Sequence, residues 1–270
     1  MTRSHPPSLR TLVEGVLRRE CSLPPAPKIA IAVSGGPDSM ALLHVLAGLR
    51  KSLRIDLCAL SVDHGLRHEA AEELKLVEAF CRELSVPFLP IALSLEDGGN
   101  LQERARNARY GALWAQAREH AGDEVFLATA HHQDDRAETV LLRVLRGTSL
   151  AGLSVLSAQE GQLLRPMMRA TRADVALHVE RHKIVSCEDP SNRQARFLRV
   201  RVRDELLPLL RELNPGVVDH LVSLADEAEE LSRPLGLNRE QRSQIRRAIL
   251  DPSVKLDLPL PAGLRVLRTE

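Results

Sequence analysis

Along the chain, short unbroken apolar runs alternate with longer stretches in which apolar residues recur every three or four positions. KIAIAVSGG (28–36) reads as a buried parallel strand, and RIDLCALSVD (54–63), PFLPIAL (87–93) and EVFLATAHH (124–132) as three further strands. The segments between and around them carry helical periodicity: 8–20, 38–51, 69–84, 100–122 and 134–147. Strand and helix in strict alternation predict right-handed βαβ units. The fold class is therefore α/β, a Rossmann-like parallel sheet with helices on both faces. After Leu150 the pattern changes. Helices are expected at 171–183, 198–213 and 215–232, with a polar loop, CEDPSNRQARF, at 187–197. A further helical stretch (238–250) precedes an extended end containing LPLPAGLRVLR. The expected division is an N-terminal helix and linker (1–27), the sheet domain (28–160), a small helical C-terminal unit (161–232) and a short tail (233–270).

The 270 residues are 44% hydrophobic and 27% charged, enough to bury a core and too apolar for disorder. Net charge is +1 with neutral histidine, so no polycationic tail underlies any nucleic-acid binding. The charge is uneven, however: 165–211 holds eleven Lys or Arg against six Asp or Glu. Aromatic residues make up 2%, too few for base-stacking platforms. No apolar run approaches the roughly 18 residues of a membrane span, and MTRSHPPSLR lacks the apolar stretch of a signal peptide, so a cytoplasmic protein is expected. Cys21, Cys58, Cys81 and Cys187 form no CxxC pair and read as small buried hydrophobes rather than ligands of zinc or an iron–sulfur cluster.

Ser34-Gly35-Gly36-Pro37-Asp38-Ser39 lies where the first strand hands over to a helix. Glycines there let backbone approach a phosphate, and the first amides of the helix point at it with the positive end of the dipole. Asp38 is odd in an anion site unless a Mg²⁺ bridges it to the phosphates. A glycine turn with a serine–aspartate helix cap fits the same residues. No GxxxxGK[ST] supplies a lysine for γ-phosphate chemistry, and no GxGxxG with a distant acid favours a dinucleotide.

A second set of chemistry-bearing residues gathers in Thr129–Thr139, TAHHQDDRAET, at the end of the fourth strand. Asp135 and Glu138, at i and i+3, share one helical face and could hold a metal or an ammonium group, or take a proton from an amine. Capping is the alternative, with Asp134 as N-cap and the other two complementing the dipole. His131 and His132, adjacent in a strand, would point to opposite faces and make a poor metal pair.

IAVSGGPDSMALL resembles the PP-loop motif of ATP pyrophosphatases. TAHHQDDRAETVLLRVLRGTSLAGL (129–153), with VDHGLR (62–67), NLQERARNARY (100–110), LLRPMM (163–168), DPSN (189–192) and RVRDELLP (201–208), resembles the tRNA(Ile)-lysidine synthetases within that superfamily. The likeness covers about 28–213 and continues loosely to 231. It implies an ATP-dependent ligase that joins free lysine to the wobble cytidine of a tRNA(Ile) with a CAU anticodon, through an adenylated cytidine. Ser34, Gly35, Gly36, Pro37, Asp38 and Ser39 would hold ATP, with Asp38 placing Mg²⁺ and Asp63 and His64 near the adenosine. Arg109 would stabilise charge on the attacked α-phosphate. Asp135, Glu138 and His131 would bind lysine, one carboxylate relieving its ammonium of a proton. Arg165, Arg169, Arg193, Arg196, Arg199, Arg201 and Arg203 would grip tRNA phosphates. The resemblance also leans toward a homodimer.

Longer members of that family carry further C-terminal domains, and LPAGLRVLR resembles the beginning of them. The chain reads as either a short form or a truncation. Other readings stay open: a different PP-loop ligase, a tRNA thiolase (which in its two-thiocytidine form needs CxxC pairs), or a non-catalytic ATP-binding module.

Overall fold

The computed structural model describes residues 7–63, 70–93, 101–187 and 198–232, and beyond them Gln244, Ala248, 256–259 and 265–268. His64, Arg193 and Arg196 lie outside the described residues, as does most of the helix expected at 238–250.

Apolar runs become the strands of one six-stranded sheet. β1 (Lys28–Ala32), β2 (Asp56–Asp63), β3 (Phe88–Ala92), β4 (Phe126–Ala128), β5 (Gln159–Glu160) and β6 (Leu163–Leu164) stand in the order β3-β2-β1-β4-β6-β5. Pairing is parallel except for the terminal β5–β6 hairpin. Helices α1 (Leu9–Arg19), α2 (Pro37–Leu53), α3 (Ala70–Glu83), α4 (Leu101–Ala121) and α5 (Gln133–Leu145) precede or follow the strands as the periodicity predicts.

Alternation along the strands divides the core. Ile29, Ile31, Leu57 and Ala59 pack with α1, α2 and α3 on one face; Ala30, Cys58, Leu60 and Leu127 meet Leu113 and Ala117 of α4 on the other. Met40, Ala41, Leu42, Leu43, Val45, Leu46 and Leu49 are all buried, so α2 is covered nearly all round. That is why it reads as continuously apolar rather than amphipathic. Each such Leu contributes about 1.5–3 kcal/mol of burial.

Some boundaries differ from expectation. β4 ends at Ala128 because the next residues turn into the site: Thr129 N–H donates to Leu164 O, and His132 bridges to Met167. Arg54 is not in a strand; at φ 53° it caps α2 in the left-handed region. The β5–β6 hairpin was not expected, since two-residue strands show no periodicity, and it carries the sheet on to Leu164.

A helical region follows: α6 (Arg172–Arg181), α7 (Leu198–Arg201), a π-type turn over Val202–Leu206, α8 (Leu207–Leu213) and α9 (Val217–Ser232). The single helix expected over 198–213 is thus broken. Pro208 has no N–H to return to Asp204, and its ring crowds that carbonyl, so the preceding turn widens. α9 packs on α5 through Val140, Ala225 and Ala228. Near the end of the chain, β7 (Leu256–Pro259) and β8 (Arg265–Arg268) pair antiparallel.

Candidate functional site

From β1 the chain runs outward to β2 and β3, then returns to lay β4 on the other side of β1. Ligands of open α/β sheets sit where the strand order reverses in this way, outside the carboxyl ends. Two segments leave the sheet at that point: Val33–Ser39 after β1 and Thr129–Glu138 after β4.

Gly35 has φ +80°, a conformation that other residues adopt only with strain, and its carbonyl accepts from the Cys187 N–H at 2.9 Å. Gly36 is the N-cap of α2 and supplies no side chain, and Pro37 begins the helix. The expected serine–aspartate cap is therefore absent. Ser39 instead folds its hydroxyl inward, donating to Gly36 O at 2.9 Å and accepting from Ser34 N–H at 3.1 Å. The Ser34 hydroxyl lies 3.3 Å from it and is exposed. The first turn of α2 is left open to an anion rather than closed by its own side chain.

Asp38 follows, half-exposed, with Oδ2 3.8 Å from His132 Nε2. Partial burial, with the carboxylates of Asp135 and Asp134, pushes its carboxyl above the ordinary value, against the pull of His132 and Arg172. A carboxylate so placed, at an edge prepared for phosphate, fits the habit of Mg²⁺, which takes one or two protein carboxylates and shares the rest with phosphates and water.

On the β4 side, His132 rather than Asp134 is the N-cap of α5, and its backbone N–H donates to Asp135 Oδ2 at 3.0 Å. The His132 ring is buried between the two segments. Its Nδ1 faces Asp134 and Asp135 at 3.7 and 3.5 Å and has no hydrogen-bond partner among the described residues. Asp134 is structural: it accepts from Arg172 N–H at 2.8 Å, at the start of α6, and pairs with Arg211 of α8.

Asp135 and Glu138 share a face, as their spacing predicts, and one guanidinium spans them. Arg199 Nη2 donates to Asp135 Oδ1 and Arg199 Nε to Glu138 Oε2, each at 3.2 Å, and Arg172 reaches Glu138 at 3.5 Å. Their surroundings drive the two carboxyls apart. For Asp135 the opposition of burial is outweighed by His132, His131, the backbone N–H and Arg199, so it is held below its ordinary value. Burial and the neighbouring Asp135 push Glu138 up, only partly relieved by Arg199 and Arg172. Such divergence in a pair is the mark of divided acid–base duty.

His131 Nδ1 lies 2.9 Å from Thr129 Oγ1, and burial lowers its pKa to about 4, helped by Arg165, Arg106 and Arg199 against Asp135. It is therefore neutral at pH 7. Arg109 stands on α4 beside Tyr110 and Arg106, and burial lowers its pKa. It has no carboxylate partner among the described residues. Arg106, over the Tyr110 ring at 5.1 Å, is the arginine of this helix that His131 feels. Asp63 closes β2 at the same edge.

The arginines expected to meet phosphates divide sharply. Arg165 is buried, donating to Ser157 O and Glu160, and Arg169 chelates Glu20 while also pairing with Asp226. Both are engaged internally and offer no free fork to RNA. Arg199 belongs to the carboxylate pair. Arg201 pairs with Glu205 on the exposed side of α7, the kind of pair that solvent makes weak, whereas the half-buried Arg203 pairs with Asp204 and feels the charges of Glu138 and Asp135. Arg106, Arg172 and Arg211 were not singled out from the sequence, and His132 only as half of a poor metal pair. Only His132, inside TAHHQDD, carried a local signal; the arginines reach the site through tertiary packing.

The PP-loop domain family matches residues 10–210. Among curated proteins the chain is similar to a tRNA(Ile)-lysidine synthase of Novosphingobium aromaticivorans, 41% identical over 76% of this chain and 64% of that protein. It is likewise similar to one of Symbiobacterium thermophilum, 36% identical over 93% of this chain and 56% of that protein. The chain thus spans under two thirds of the length of these relatives. Among solved structures, the U34-tRNA thiolase NcsA from Methanococcus maripaludis, with its [4Fe-4S] cluster, superposes with a TM-score of 0.67 at 22% identity, covering 84% of this chain and 79% of that one. That likeness is one of fold.

Proposed function

The chain belongs to the PP-loop domain family, and from that premise we propose that it uses ATP to join L-lysine to the wobble cytidine of a tRNA(Ile) bearing a CAU anticodon. The observation that carries this reading is the Asp135–Glu138 pair: two carboxylates with divergent proton affinities, already holding a cation, one imidazole away from the phosphate loop. The names of the curated relatives support it.

In the first half-reaction the cytosine carbonyl oxygen attacks the α-phosphorus, and pyrophosphate leaves. Open amides at the start of α2 and the Ser34 hydroxyl receive the pyrophosphate. Asp38 would hold a Mg²⁺, which when bound neutralises phosphate charge. Arg106 and Arg109, cations lacking a carboxylate partner among the described residues, are suited to the charge that builds on the phosphorus. In the second half-reaction the lysine ε-nitrogen attacks the activated ring carbon and AMP leaves. Free lysine carries an ammonium with a pKa near 10.4 and is no nucleophile at pH 7. Asp135, the permanent anion, holds it; Glu138, the carboxylate of raised affinity, accepts its proton. With Nδ1–H donated to Thr129, whose hydroxyl turns to Leu164 O at 3.4 Å, His131 keeps Nε2 as a second acceptor. The proposal extends to the cytoplasm as its setting and to a homodimer as its assembly, the latter carried by resemblance alone.

A sulfur-transfer reading has no support in the two buried cysteines. Cys58 and Cys81 lie in the cores on opposite faces of the sheet, and burial pushes their thiols up to about 11 and about 12. They cannot share a cluster.

Pyrophosphate release is the test, measured with ATP, CAU-anticodon tRNA and lysine, each omitted in turn. Release that requires the tRNA, with labelled lysine entering RNA only in the full mixture, is expected. Release indifferent to both would sink lysidine formation and leave ATP cleavage toward another acceptor.

A further inference from the structure

α6 lies against α2 on the face of the sheet that also carries α1 and α3, and three histidines meet in that seam. His44 comes from α2, about 9 Å along the helix axis beyond Asp38 at 1.5 Å per residue. His178 and His182 are i and i+4 at the end of α6, a spacing that puts two imidazoles on one helical face. His44 Nδ1 and His178 Nε2 are 3.0 Å apart, and ring centroids lie 4.4 to 5.1 Å from one another. One nitrogen from each residue falls within a span of 4.8 Å.

Nothing in the proposed reaction uses these residues, and packing alone explains them poorly. One N–H can sit between His44 and His178, which leaves the ring of His182 tilted against the pair without a role. No carboxylate forms an ion pair with any of the three among the described residues; the acidic group whose charge His44 feels is Glu83, and Arg181 opposes it at His178. Phe80 stacks on His44 at 6.2 Å and closes one side of the seam.

We propose that His44, His178 and His182 form a binding site for a Zn²⁺-like divalent cation, which clips α6 to α2. Nitrogens 2.0–2.1 Å from a tetrahedral metal stand about 3.3 Å from each other. The His44–His178 separation is within a few tenths of an ångström of that value, and the exposed His182 has room to swing in. Three imidazoles leave a fourth position for water or for Glu83. The borderline-soft nitrogen set selects Zn²⁺, Co²⁺ or Cu²⁺ over Mg²⁺, so the site is chemically separate from the oxygen donors at Asp38.

The test takes the full chain, free of any affinity tag and stripped of metal, in excess Mg²⁺ so that carboxylate sites are filled. Co²⁺ is added and its visible absorption followed, then Zn²⁺ is used to displace it. One equivalent of tetrahedral cobalt is expected, with Zn²⁺ raising the Tm. His182→Gln, at an exposed helix end and therefore safe for folding, weakens binding at least tenfold and removes the Tm shift. Absence of saturable binding, equal affinity in His182→Gln, or sulfur-to-cobalt charge-transfer bands would each overturn the site.

Discussion

Glu138 and Asp135 differ in how they respond to pH, and the sign of each follows from its surroundings. A carboxyl raised in the folded state binds its proton more tightly there than in the unfolded chain, so its ionised form weakens the fold above that pKa. Glu138→Gln removes that penalty. At pH 8 the variant is expected to melt at or above the wild-type Tm while lysine transfer falls by about 100-fold or more, the usual size of a general-base contribution. A lower Tm with transfer intact would reverse the assignment. Arg199 occupies the place proposed for the lysine ammonium. Arg199→Ala is therefore expected to tighten lysine binding to the tRNA-free protein several-fold by calorimetry, an exchange worth about 1 kcal/mol for a partly exposed pair. Unchanged or weaker lysine binding would show that Arg199 is no placeholder. The two carboxylates could be found from the sequence because i and i+3 on a helix is a local relation. Their guanidinium partners come from 34 and 61 residues away, a distance that only folding closes. The same blindness hides the internal partners of Arg165 and Arg169: a basic stretch looks alike whether its charges face solvent or buried acids.

At the level of elements, the joint between α5 and α9 rests on a charge. Arg136 is 1% exposed on α5 and donates to Asp226 at 2.6 Å, to Glu229 at 3.2 Å and to Val155 O at 3.0 Å. Asp226 also receives Arg169, which draws Glu20 and the end of α1 into the same network. Removing one partner of a buried pair leaves the other uncompensated. Asp226→Ala is expected to lower unfolding free energy by about 3 kcal/mol in urea titrations, the lower end of the range for broken buried pairs because Glu229 remains. Arg169 and Arg136 hold the Asp226 carboxyl below its ordinary value against the pull of burial. Its contribution is thus present above the unfolded pKa of about 3.9 and lost as pH falls through the lower folded one, so the difference between variant and wild type narrows in acid. A constant difference down to pH 3 would contradict this. Strands and helices of the sheet domain were legible because periodicity reports burial directly. The β5–β6 hairpin is too short to show a period, and the break before Pro208 depended on reading one missing N–H within an otherwise regular helical pattern.

For the molecule as a whole, strand order matters more than any single residue. β1 and β4 are neighbours although Ile29 and its partner Phe126 stand 97 residues apart in the chain. That adjacency places His132 between Asp38 and Asp135, within 3.8 Å of one and 3.5 Å of the other. The alternation of strands and helices announced the class of fold, but not that two loops so distant in sequence would share one imidazole. The consequence is kinetic. On the proposed function, activation and capture lie an imidazole's width apart, so an activated nucleotide is expected to meet lysine before it can leave. Labelled tRNA activated without lysine, then given lysine together with a large excess of unlabelled tRNA, should carry its label forward into product almost undiluted. Dilution in proportion to the excess would mean that the intermediate escapes and returns. On that reading, high commitment shortens the time for which a reactive ester is exposed to hydrolysis.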